Sequence, residues 1–78
     1  MNTYAIDKLK TNMVLQGLDE RKADFACKRL LDVIWKNETY KGKTLEETII
    51  YLIRDIYSGY QLYLPLEIMG NISKSLRR

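Results

Sequence analysis

A small all-α bundle of about four short helices is the fold this sequence predicts, and three observations predict it. Apolar residues recur at the i, i+3, i+4 and i+7 spacing of a helix through most of the chain. The stretch Thr44 to Gly59 carries both a helix-start and a helix-stop signal. The 78 residues include one cysteine and no histidine, which leaves no internal disulfide to staple a small core. A single domain of this size buries roughly 60% of the surface that its unfolded chain exposes. Small scaffolds without staples often gain stability by oligomerising, so completion of the bundle by homodimerisation is expected.

The first helix is expected over about residues 3–16, with Ile6, Leu9, Met13 and Val14 on one face and Gly17 ending it. The second, about 19–37, opens on Asp19 as N-cap, with Leu18 as the apolar half of a staple. Its stripe runs through Ala23, Ala26, Cys27, Leu30, Leu31, Val33 and Ile34, with Trp35 at the edge. The polar loop ETYKGK, Glu38 to Lys43, leads to a third helix over about 44–58. There Thr44 and Glu47 have the spacing of a capping box, and Gly59 stands where a left-handed turn would end the helix. Leu45, Ile49, Ile50, Leu52, Ile53, Ile56 and Tyr57 cover nearly half its circumference, so the helix must be covered from more than one side. YQLYL, Tyr60 to Leu64, reads as an extended connector that packs its tyrosines and leucines on the bundle. A fourth helix over about 65–76 starts with Pro65 in its first turn and buries Ile68, Met69, Ile72 and Leu76. Lys74, Arg77 and Arg78 complement its C-terminal dipole.

Composition argues against an enzyme. Without histidine the chain lacks the commonest general base near neutral pH and the commonest metal ligand. Cys27 falls on the apolar side of its helix and reads as a small core residue. Glu46 and Glu47 are first-turn carboxylates explained by capping and dipole. No P-loop, G-x-G-x-x-G or metal motif is present, and no cofactor is expected. Asp7, Lys8 and Lys10 occupy the place where a secretion signal needs an apolar run. The longest aliphatic-aromatic run, Ile49 to Ile53, is far short of the ~20 residues of a membrane span. A cytoplasmic chain is therefore expected, and the sequon at Asn37 is a chance match. Abundant Ile, Lys, Asn and Tyr are common in AT-rich genomes, including those of many phages and mobile elements.

The residues that break the amphipathic pattern are the candidates for function. At about 100° per residue, Phe25 falls opposite the stripe of the second helix, among Arg21, Arg29 and Asp32. Tyr51 does the same on the third, among Glu47, Arg54 and Asp55. An aromatic ringed by charges has the character of an interface anchor, so Phe25, Tyr51, Arg29 and Arg54 are the candidate protein contacts. The alternative is that the first helix or the connector folds over these rings. Lys22, Arg29 and Lys36 stack along one face about 10.5 Å apart, a spacing able to follow a polyanion, with Arg21, Lys28, Lys41 and Lys43 nearby. Against that, Asp32 is spaced to pair with Lys28 and Lys36.

These readings favour a non-enzymatic helical regulator that binds a host or self protein, such as a small phage or mobile-element accessory factor. A weak nucleic-acid-binding regulator is the first alternative. The segment PLEIMGNISKSLRR, Pro65 to Arg78, resembles the amphipathic helices of small bacteriocin immunity proteins. That resemblance covers only the last helix, implies an immunity-like role as a further alternative, and assigns no residue a task.

Overall fold

The computed structural model describes residues 4–76, which form an all-α bundle of four helices. They are α1 (Tyr4–Leu15), α2 (Glu20–Lys36), α3 (Leu45–Gly59) and α4 (Leu66–Leu76). Each helix packs on two neighbours in the closed order α1, α2, α3, α4 and back to α1. Ile6 lies beside Cys27 while Lys10 lies beside Asp24 and Glu20, so α1 and α2 run antiparallel. Gln16 meets Tyr63 while Ile6 shares a wall with Ile72 and Leu76, so α1 and α4 do too.

The core follows from the helical stripes. Ile6, Leu9, Met13, Leu30, Ile49, Ile53, Tyr57 and Ile72 are fully buried, each from the apolar face of its own helix. The broad face of α3 is covered within this one chain: Ile49, Leu52, Ile53, Ile56 and Tyr57 are all buried. Three of the side chains expected to pack inside, Val14, Tyr60 and Tyr63, do not, and Trp35 at the edge of the α2 stripe is open as well. Val14 is exposed because it lies about 100° around α1 from Met13, beyond the arc that α2 and α4 cover. Trp35 is 83% exposed on the flank of α2. In the connector, Leu62 and Leu64 pack on the core, whereas Tyr60 and Tyr63 stay exposed.

Helix ends are set by local hydrogen bonds. At Thr44 the capping box is complete: Glu47 N–H donates to Thr44 Oγ1 (3.1 Å) and Thr44 N–H donates to Glu47 Oε1 (3.0 Å). Asp19 is the N-cap of α2 but its side chain makes no capping bond. The Pro65 carbonyl accepts from Met69 N–H (3.3 Å), which puts Pro65 at the N-cap of α4 rather than inside its first turn. Helices α1, α2 and α3 all end in the same paired turn, with a left-handed residue at Gly17 (φ 100°), Asn37 (φ 52°) and Gln61 (φ 57°). After α3, Gln61 N–H bonds Ser58 O and Leu62 N–H bonds Tyr57 O. Gly59 is therefore the last helical residue, and the left-handed position expected there falls two residues later on a glutamine. Of the C-terminal basic residues, Lys74 is exposed on the last turn of α4, and Arg77 and Arg78 lie outside the described residues.

A short polar network ties the bundle across its diagonal. Tyr57 Oη donates to Asn12 Oδ1 (2.8 Å), which also accepts from Gln16 Nε2 (2.8 Å). The Gln16 amide grips the connector backbone at both ends: its Nε2 donates to Tyr63 O (2.7 Å) and its Oε1 accepts from Tyr63 N–H (2.8 Å). The extended connector expected over YQLYL is thus shorter: Tyr60 and Gln61 form the turn that ends α3, and the Gln16 amide holds the chain at Tyr63.

Candidate interaction surface

Helix α2 holds its functional candidates on the side away from the core. Ala23, Ala26, Cys27 and Leu30 are buried, so the residues half a turn away face outward. Phe25 is 71% exposed at the centre of that outer face, and neither α1 nor the connector folds over it. Arg21, Lys22 and Arg29 stand one turn from it, at i−4, i−3 and i+4.

Ion pairing divides the charges of α2 into two groups. Lys28 Nζ lies 3.0 Å from Asp24, which also takes Lys10 from α1 (3.5 Å). Lys28 therefore pairs with Asp24, one turn before it, rather than with Asp32. Lys36 pairs with Asp32 (3.2 Å), as the spacing predicts, and Lys10 lies 3.9 Å from Glu20. These contacts hold the Asp24 carboxyl below its ordinary range, chiefly through its hydrogen bond to Lys28. They hold the Lys36 ammonium above its own, through its hydrogen bond to Asp32 and the nearby Glu38 carboxylate. Arg21, Lys22 and Arg29 form no ion pair among the described residues. The basic ladder Lys22, Arg29, Lys36 is thus broken at its last member, which is already engaged by a carboxylate.

Between α2 and α3 runs an open groove of about 360 Å³. Val33, Thr48 and Leu52 line it from the bundle side, with Arg29 and Asp32 on one rim and Glu38 and Tyr40 on the other. Thr48 is buried and fully used: its Oγ1 donates to Thr44 O (2.9 Å) and accepts from Tyr40 N–H (3.2 Å). That second bond holds the loop against α3 and sets the Tyr40 ring edge-on to Tyr51, with centroids 5.5 Å apart and planes at 81°. Tyr51 is 58% exposed, so it is a surface aromatic, but it has a ring partner as well as charged neighbours. Arg54 is exposed one turn further along α3 and forms no ion pair among the described residues. Phe25 stands one turn from Arg29 on α2, and Tyr51 one turn from Arg54 on α3; of these four Arg29 lines the groove, and Tyr51 touches its rim through Tyr40. Tyr40 is the member that periodicity misses, because a loop residue has no helical face to be read from. Its signal was an aromatic inside an otherwise polar connection.

The perturbed titrating groups lie elsewhere. Cys27 is buried with its Sγ 3.7 Å from Ile6 O, and burial pushes its thiol up to about 11. Burial likewise pushes the Tyr57 phenol up to about 12. Both changes keep the groups protonated near neutral pH, the reverse of nucleophile activation. Glu47 is held below its ordinary value by the capping bonds from Thr44. A second groove, about 470 Å³, runs between α1 and α4, where Leu15 and Ile68 face Lys8 and Glu67. No group of three or more metal-ligating side chains occurs among the described residues, and no described helix is long and apolar enough to cross a membrane. No family model, curated protein or solved structure matches this chain.

Proposed function

We propose that this protein is a non-enzymatic binding module that regulates a protein partner by docking the Phe25 and Tyr51 sides of the α2–α3 groove onto it. The observation that carries the reading is the outward Phe25, a large apolar ring left in water beside unpaired arginine. Exposing such a ring forgoes roughly 1.5–3 kcal/mol of burial free energy. A partner that covers it recovers that term, and aromatic and arginine side chains dominate binding energy at protein interfaces. Tyr40 on the groove rim and Tyr51 against it extend the surface across the groove. The reading puts the protein in the cytoplasm, supported by its single cysteine, a free buried thiol.

Polyanion binding through Lys22, Arg29 and Lys36 has less support, because Asp32 neutralises Lys36 and shares the face with Glu38. The test pairs capture of partners from the native host with a thermal melt followed by circular dichroism. Phe25→Ala combined with Tyr51→Ala is expected to abolish partner capture while moving the melt by no more than a surface change does. A large loss of stability would show the rings to be structural and remove the basis of the reading.

A further inference from the structure

We propose that the Phe25 face of α2 receives an acidic, amphipathic protein segment, a narrower claim that rests on the docking function above. Every carboxylate of α2 is already engaged: Glu20 and Asp24 by Lys10, Asp24 again by Lys28, and Asp32 by Lys36. What is left over is cationic and sits around one ring. Arg21, Lys22 and Arg29 surround Phe25 within two turns of helix, with no acidic partner among the described residues.

A neutral partner closing over Phe25 would strip water from these cations and return nothing for it, a cost that disfavours such partners. A partner with carboxylates beside its apolar residue gains charge-assisted hydrogen bonds instead, and Arg29 can make a bidentate one. The groove fixes the register of that partner. Val33 and Leu52 offer a second apolar contact beyond Arg29, and Val33 lies about 12 Å along α2 from Phe25. A matching segment therefore carries two apolar side chains about two helical turns apart, with acidic residues between them facing Arg29.

Two other occupants fit less well. A second copy docked by a two-fold axis through Phe25 would set these unpaired cations against their own images. A nucleic acid follows a run of free cations, and that run ends at Lys36, which Asp32 already engages.

Panning a library of random displayed peptides on the intact chain tests this. The expected outcome is an enriched set with net negative charge and two apolar positions about two turns apart. Binding of individual enriched peptides should weaken at least about tenfold in Phe25→Ala and in Arg29→Glu, and weaken with added salt. The triple change Arg21→Glu, Lys22→Glu, Arg29→Glu should turn the selection toward basic peptides. Neutral or basic peptides that depend on Phe25 would overturn the acidic assignment and leave the docking function standing. Enrichment indifferent to both Phe25→Ala and Tyr51→Ala, or no enrichment, would remove both. Phe25-dependent retention of a single-stranded oligonucleotide, or a Phe25-dependent dimer in sedimentation, would also overturn the assignment, in favour of that occupant.

Discussion

Where α1 meets α3 and the connector, Asn12 accepts two hydrogen bonds, and Gln16 satisfies both backbone groups of Tyr63. Around Phe25, one helix away, Arg21, Lys22 and Arg29 have no such partners among the described residues. The same chain thus closes one polar region completely and leaves another open. No buried side-chain nitrogen or oxygen lacks a partner among the described residues, so the open region is confined to the surface. Folding accounts for the first region, because its bonds tie α1 to α3 and to the connector. It does not account for the second, whose cations and exposed ring serve no contact inside the bundle.

The contrast can be broken most forcefully from the inside. Ile53→Ala removes a fully buried side chain from α3 and should cost about 2–5 kcal/mol in denaturant unfolding. A smaller loss would mean that the core collapses around the gap. High pH is the next lever. The folded protein holds the Cys27 and Tyr57 protons more tightly than the unfolded chain, whose groups titrate near their ordinary values of 9.0 and 10.0. Their contribution to stability is full below those values and falls as pH rises through about 11 and 12. Thermal melts should therefore fall progressively above pH 9, and Cys27→Ala should remove the earlier part of that pH dependence. Asn12→Ala leaves the Tyr57 hydroxyl and one Gln16 bond without their acceptor, at a cost of about 1–3 kcal/mol by the same unfolding measurement.

Smaller effects sharpen the comparison. Gln61 occupies a left-handed conformation that glycine adopts freely, so Gln61→Gly should raise stability by about 0.5–1 kcal/mol. Phe25→Ala should move stability by less than about 0.5 kcal/mol, since the ring supports nothing inside the bundle. A loss as large as that of Asn12→Ala would erase the distinction between the two regions.

How much of this was legible in the sequence depends on how far apart the interacting residues lie. The Thr44–Glu47 box and the outward position of Phe25 are matters of three or four residues and helical angle, so the sequence reveals both. The bond from Tyr57 to Asn12 spans 45 residues and has no local signature. Neither does the grip of Gln16 on Tyr63, which spans 47 residues. The C-terminal turn of α3 lies beyond its expected place: Gly59 is the better left-handed residue, yet the left-handed position falls two residues later at Gln61, next to Leu62, which packs on the core. Trp35 and Tyr51 show the converse limit. Angle alone assigns each a side of its helix, but only the neighbouring elements decide whether that side is covered or, as with Tyr40, shared with a loop.

The thiol of Cys27 faces the Ile6 carbonyl in the seam between α1 and α2, and it is the one sulfhydryl in the whole sequence. A thiol reagent can reach it only when those two helices part. The rate of modification under native conditions therefore times that opening in the unaltered protein, and a ligand seated on the far side of α2 would reveal itself by slowing the clock.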